Sequence, residues 1–466
     1  MNRTATASMV MAAGLLAVLM GLLAVRAQVT VIMACILVIA IMLLPRRAVL
    51  GVMILLVCVL GLIRRLISPG RIDYDPLVLV PILLLVLVLI TSDKDDEPAP
   101  LSTTLNLAFS VLVALPVLSV VVVARPSLAG VYAAGIQSAA FLAMWSAARG
   151  RLPNLWPSVF RSAPIVGGLL ALYGLYQFFF LPGWDRLWMI RSGLNSVGSP
   201  EPLLVRVFGA SESPGLFAMV LGACLVTSVY GVVGSHSVAM RMFNVGLASL
   251  MVGTLFFTGV RTALIAALVA LIYMAYQYRN VAVLLWTAVL GASFVVGVRA
   301  LLTRFTTSDS TVFDADRYSI ANSGSDRSLN ARLGLLSDVG DGLARPLGTG
   351  LQVSGARVRS LDNSWIDLLV SFGPLMALAF TVVFIAIVRS VLSSPPRTDR
   401  ASVAKMGLSG VTVYLLVFLM AANIFATTSG LVASVVLGWA LGAVVPRPRR
   451  AATDGAVDLG VPTQPR

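Results

Sequence analysis

The chain has 466 residues, of which 58% are hydrophobic and only 12% charged, with a formal net charge of +14. Soluble domains carry roughly 25% charged residues, so this composition excludes a water-soluble enzyme and points to a membrane protein. The excess charge is almost wholly arginine, yet no basic helix interleaved with aromatic residues occurs, and no nucleic acid partner is expected.

Charged residues punctuate the hydropathy. Uncharged intervals run over 4–25, 27–45, 48–63, 76–92, 98–124, 126–148, 162–184, 213–240, 242–260, 262–278, 280–298 and 368–388. A helix needs about 20 apolar residues to cross a hydrocarbon core of roughly 30 Å, so each interval is a candidate span. The interval 406–446 is long enough for two, broken at Thr427-Thr428-Ser429-Gly430. The expected fold is an all-α polytopic membrane protein of about fourteen transmembrane helices with one large extracytoplasmic loop. The first interval reads as a retained helix, because its apolar run is too long for a signal peptide and Val25-Arg26-Ala27 is a poor cleavage site.

Basic residues set the orientation. With both termini cytoplasmic, 17 basic residues fall on inside segments and nine on short outside connections, as the positive-inside rule requires. The long segment 299–367 then lies outside, where its arginines carry little topological weight. The chain divides into 1–160 (N-terminal helices), 161–298 (central helices), 299–367 (extracytoplasmic loop), 368–446 (C-terminal helices) and 447–466. That last piece is a Pro- and Arg-rich cytoplasmic tail with the composition of a disordered segment.

Arg64, Arg65 and Arg71 flank one short outside connection, against the orientation rule. They either snorkel to lipid phosphates or form a site for an anionic lipid-linked substrate. Cys35, Cys58 and Cys224 fall in apolar spans and read as packing residues, and the single histidine, His236, lies in an inside loop. No zinc spacing and no Ser/His/Asp triad can be built on the outer face, so acid–base chemistry there falls to carboxylates.

Three further segments map outside. The stretch 206–215 joins Arg206 to Phe208-Gly209, Glu212 and Pro214, with Ser211 or Ser213 as a helix cap. Thr258-Gly259-Val260-Arg261-Thr262 forms a hairpin with hardly any loop. The long outer loop carries Arg327 and then Arg332 among Leu329, Leu333 and Leu336, the spacing of an amphipathic helix. Pro346-Leu347-Gly348-Thr349-Gly350 follows as an irregular turn, and the chain returns through Asp362-Asn363-Ser364-Trp365-Ile366-Asp367. Trp365 suits an interfacial anchor.

This order of elements resembles the O-antigen ligase and polymerase superfamily of bacterial inner-membrane glycosyltransferases. The likeness covers roughly residues 160–390 and rests on Arg206 to Pro214, on Gly259-Val260-Arg261-Thr262-Ala263-Leu264, on Arg332 with Pro346 to Gly350, and on Asp362-Asn363-Ser364-Trp365. It implies a GT-C-like architecture, a location in the bacterial inner membrane with the active site facing the periplasm, and an undecaprenyl-pyrophosphate-linked glycan as substrate. Membrane lipid and a chain-length regulator or export complex would be partners. The family's loop histidine is replaced here by Asp362, which favours a polymerase-like or exopolysaccharide-type member over a ligase.

Transfer from a lipid diphosphate needs cations at the leaving group, and the planar guanidinium suits that role. Arg206, Arg261 and Arg332 are the expected diphosphate ligands, with Arg327, Arg64 and Arg65 in reserve. Asp362 is the first candidate base and Glu212 the second, and Asn363 would orient a sugar. As structural alternatives, Asp362 would cap the following helix and Glu212 would pair with Arg206. No metal or other cofactor is implied. A transporter or flippase of a lipid-linked anion and a non-catalytic export scaffold are the competing classes.

Overall fold

The computed structural model describes residues 44–67, 75–91, 100–122, 128–192, 195–235, 237–278, 339–340, 342–350, 363–393, 401–420 and 422–443, with isolated pieces at 296, 353–354 and 357–358. The expected span 4–25, nearly all of 27–45 and 280–298, the tail and most of the outer loop lie outside the described residues.

The described chain is helical apart from one two-stranded ribbon. In order, α1 is Arg46–Ile67, α2 Val80–Ile90, α3 Thr103–Val122, α4 Leu128–Ala148, α5 Trp156–Phe180, α6 Gly183–Ser192, α7 Pro214–Gly234, α8 Val238–Phe257 and α9 Arg261–Tyr278. The ribbon pairs β1 (Val353–Ser354) with β2 (Arg357–Val358), antiparallel. It is followed by α10 Ser364–Phe372, α11 Pro374–Leu392, α12 Ala401–Leu419 and α13 Ser429–Gly442. Seven helices among the described residues are long and apolar enough to cross a membrane, and further apolar helices of 10–17 residues accompany them. The chain is therefore a multi-pass, all-α membrane protein.

Apolar residues cover both surfaces of the bundle. Phe109, Phe141, Phe178, Phe217, Phe380 and Phe425 fill the interior, whereas Leu107, Leu169, Phe180, Val238, Met242 and Leu378 face outward. An outer surface this apolar is what lipid, rather than water, would solvate.

Cross-bundle contacts define two ends. At the Arg46 end, Arg46 donates to the carbonyls of Val88 and Arg151, and the Trp156 indole donates to Ala404. At the Arg64 end, the tip of α1 meets the segment before α7 through Leu62 N–H to Ala210 O at 2.8 Å. α12 runs antiparallel to α7, since Tyr414 donates to Ala218 O near one end and Val403 lies beside Gly234 at the other. α13 runs parallel to α4, with Gly438 against Met144 and Gly442 against Ala148.

Two interruptions depart from the sequence expectation. The span 368–388 is not one helix: α10 stops at Phe372 and α11 begins at Pro374, because Pro374 lacks the N–H that a continuous helix needs and Gly373 accepts the bend. The break expected at 427–430 starts earlier, with α12 ending at Leu419 and α13 beginning at Ser429. Gly430 belongs to the first turn of α13, where a Cβ would lie 2.2 Å from the Ile424 carbonyl oxygen.

Basic residues occur at both ends, whereas the described acids group at one. Asp75, Asp185, Glu201, Glu212 and Asp367, the acids among the described residues, belong to the Arg64 end. The Arg46 end carries Arg46, Arg47, Arg149, Arg151, Arg161, Arg241, Arg389 and Lys405.

Candidate functional site

The site is organised by the segment 205–213, which crosses the Arg64 end between α1, α5 and the α8–α9 hairpin. Ser213 starts α7 with its hydroxyl accepting from Leu216 N–H at 3.4 Å and Pro214 in the first turn, so Ser213 rather than Ser211 is the cap. Ahead of the cap, the backbone has no helical partners and must find others. Val207 N–H donates to Phe257 O at 3.0 Å, while the N–H groups of Phe208 and Gly209 both donate to Gln177 Oε1 at 2.9 Å.

Carbonyls of the same segment are taken by Arg65, whose guanidinium donates to Gly209 O and Ser211 O and lies 4.8 Å from the Phe208 ring centroid. Its Nε pairs with Asp185 Oδ1 at 2.6 Å. Asp185 in turn accepts from Tyr173 Oη at 2.8 Å and Gln177 Nε2 at 2.6 Å, and Trp184 donates to the tyrosine oxygen at 3.0 Å. A buried charge is tolerated only when paired and hydrogen-bonded, and this network meets both conditions.

Arg64 joins a second set. Its Nε donates to Asp75 Oδ2 at 2.8 Å, its Nη1 pairs with Glu212 Oε1, and its guanidinium stands 5.7 Å from the Trp188 ring. Asp75 also caps the helical turn Pro76–Leu79, accepting from Leu77 N–H at 3.0 Å. Glu212 is half-buried, and its second oxygen has no hydrogen-bond partner among the described residues.

Arg206 and Arg261 sit on adjoining backbone. Arg206 Nε donates to Thr258 O at 3.1 Å, and Gly259 is compressed against the same side chain, where a Cβ would lie 3.0 Å from Arg206 Nε. Gly259 has φ +64, a conformation that lets the hairpin turn within so few residues. Arg261 is the first residue of α9, and both arginines are partly exposed. The expected pairing of Glu212 with Arg206 is not the one found; Glu212 pairs with Arg64.

Asn363 has a structural position. Its Oδ1 accepts from Trp365 N–H at 2.9 Å and Ile366 N–H at 3.2 Å as the cap of α10, and its Nδ2 donates to Met420 O at 2.9 Å. Ser364 Oγ donates to Ala422 O at 2.6 Å, and Asn423 Nδ2 donates to the buried Asp367 at 2.7 Å. The first turn of α10 thus supplies partners to the interrupted backbone at 420–428. Trp365 is not a lipid anchor: it packs edge-on against Phe380 and Phe384 at 4.8 and 5.0 Å. The Pro346–Gly350 turn docks on the other end of α10, with Thr349 N–H and Gly350 N–H donating to Val370 O and Ser371 O.

Arg64, Arg65, Arg206, Arg261 and Glu212 therefore gather at one end of the bundle, Arg64 and Arg65 with their guanidinium groups committed to carboxylates and carbonyls. Arg71, Arg327, Arg332 and Asp362 lie outside the described residues, as do His236 and Cys35. Cys58 and Cys224 are buried free thiols. Sequence reasoning passed over Asp75, Asp185, Tyr173 and Gln177. The available signal was the need of Arg64 and Arg65 for counter-charges near outer span ends. No family profile matches this chain, and no curated protein does.

Proposed function

We propose that the chain is a metal-independent glycosyltransferase of the O-antigen or exopolysaccharide polymerase type, extending a glycan from an undecaprenyl-pyrophosphate-linked donor at the outer face of a bacterial inner membrane. The observation that carries the reading is the junction of Arg206 with the Thr258–Arg261 hairpin, which sets two partly exposed guanidinium-bearing segments beside the N-termini of α7 and α9. Helix N-termini and guanidinium groups both favour oxyanions. The basic residues described at the Arg46 end, among them Arg46, Arg47, Arg149, Arg151, Arg161 and Arg241, agree with a cytoplasmic placement, which puts the Arg64 end outside.

In this reading the acceptor hydroxyl attacks the anomeric carbon of the donor and loses its proton to Asp362. The bond from that carbon to the phosphate oxygen breaks, and the lipid diphosphate leaves with the electron pair. Arg206 and Arg261, joined by Arg332 and Arg327 from the outer loop, stabilise the charge that develops on the leaving oxygen. Arg64 and Arg65 hold the 205–213 segment in place rather than binding substrate. Glu212, anchored by Arg64, faces the acceptor side, and Asn363 fixes the return of the outer loop.

Transfer to a different acceptor, as a ligase performs, uses the same groups. A transporter of a lipid-linked anion is favoured by one observation, the helix interruptions at Gly373 and 420–428, since transporters build sites on discontinuous helices. One assay separates the three. Purified protein given a lipid-diphosphate oligosaccharide should release free lipid diphosphate and a lengthened lipid-linked glycan. Release with the glycan on another acceptor indicates a ligase, and movement across a vesicle without release indicates a transporter. Absence of any release in the presence of acceptor overturns the transferase reading.

A further inference from the structure

The Arg46 end holds a cluster of cations that the outer-face chemistry does not use. α4 ends there in a tight cap: Arg149 N–H donates to Trp145 O at 3.0 Å, Arg151 N–H to Ser146 O at 2.9 Å, and Gly150 between them has φ +74. The left-handed glycine turns the chain so that Arg149 and Arg151 bracket the helix end. The Arg149 guanidinium lies 5.7 Å from the Trp145 ring centroid. That ring is fixed by stacking on Phe109 at 6.2 Å and by its N–H to Asn106 Oδ1 at 3.1 Å. Arg46 reaches the same corner from α1, donating to Arg151 O and Val88 O.

Among the described residues no carboxylate pairs with Arg149 or Arg151. The Arg149 Nε is buried and has no acceptor among the described residues. Burial, and after it the charge of Arg151, lower the Arg149 pKa from its ordinary value. The helix C-terminus explains why cations are favoured here. It does not supply an acceptor for the buried donor.

We propose that Arg149, on the Trp145 platform, and Arg151, whose backbone Arg46 braces, form a binding site for the phosphate of an anionic phospholipid in the leaflet at that end. A phosphate oxygen would accept from Arg149 Nε and from the fork of Arg151. A lipid is favoured over a free phosphate by the surface that leads away from the corner. α3 presents Leu107, Val117, Leu118, Val121 and Val122 outward along its length, a track for an acyl chain whose headgroup rests at Arg149. This inference is independent of the donor chemistry at the other end.

The test uses the full chain, purified and carried into nanodiscs of phosphatidylglycerol or of phosphatidylcholine, with retained lipid counted by native mass spectrometry after transfer to detergent. The wild type is expected to retain phosphatidylglycerol and not phosphatidylcholine, and Arg149→Gln with Arg151→Gln to weaken retention by about fivefold per arginine. Should the double variant fail to fold, Arg151→Gln alone, an exposed change, gives the same comparison. Equal retention by wild type and variant, or by the two lipids, overturns the proposal. Displacement of the lipid by millimolar inorganic phosphate overturns the lipid assignment and leaves a simple anion site.

Discussion

Arg65 and Asp185 form an ion pair at 2.6 Å in which solvent reaches neither side chain. The pair ties the tip of α1 to α6. Through Gly209 O and Ser211 O it also ties both to the segment that carries Arg206 and Glu212. Removing one partner of such a pair leaves a buried charge uncompensated, which costs about 3–5 kcal/mol. Asp185→Asn, nearly isosteric, should therefore lower the thermal midpoint in detergent sharply. Arg65→Lys should do nearly as much, since an ammonium cannot reach Asp185 and two carbonyls together. A midpoint unchanged in Asp185→Asn would show that the network adds nothing to stability.

Gly61 gives a second test of the same junction. A Cβ there would meet the Ser211 carbonyl carbon at 2.5 Å and the Ala210 carbonyl oxygen at 2.8 Å, both backbone atoms that cannot rotate away. Gly61→Ala should push α1 from the segment, break the Leu62–Ala210 hydrogen bond and cost about 1–3 kcal/mol. At Gly135, on α4, a Cβ would meet nothing within 4 Å, so Gly135→Ala should be neutral or stabilising by up to about 1 kcal/mol. Thermal unfolding of the two variants side by side checks the contrast.

The multi-pass helical fold was legible in the sequence because the hydrocarbon core selects for long uncharged runs, and the charges between them mark the ends. The network was not. Arg64 and Arg65 stood out as cations on the wrong side, but their partners Asp75, Glu212 and Asp185 lie at separations that no helical or strand period encodes. Each of those acids, alone, looks like an ordinary loop residue. The interruption at Gly373-Pro374 was legible in principle, since proline after glycine ends a helix, yet hydropathy ran unbroken across it. The Asp362-Asn363 motif suggests a sugar contact for Asn363, whereas its position before Ser364-Trp365 fits a helix cap equally well.

Asn363 and Ser364 hold the carbonyls of Met420 and Ala422, so the interrupted segment depends on the first turn of α10. Asn363→Ala removes a helix cap and one of those ties, and should cost about 1–2 kcal/mol. Hydrogen exchange in 420–428 should rise in Asn363→Ala and in Ser364→Ala while α7 stays protected. A uniform rise across the bundle would instead mean global destabilisation, and no local rise would remove the coupling.

The choice between Asp362 and Glu212 as base follows from how Glu212 is held. One of its oxygens is taken by Arg64, a group that also holds Asp75, so that oxygen is committed to a structural pair rather than open to an acceptor hydroxyl. Under the proposed reaction, Asp362→Asn should lower kcat by about 10²–10⁴ with donor KM little changed, the signature of a lost general base. Glu212→Gln keeps a hydrogen bond to Arg64 and should cost less than about tenfold in kcat. Arg206→Ala and Arg261→Ala should abolish turnover while the protein still inserts, because diphosphate stabilisation is lost in the transition state. If Glu212→Gln were the variant that lost kcat and Asp362→Asn turned over normally, proton transfer would belong to Glu212, and Arg64 would then be the residue that positions the base.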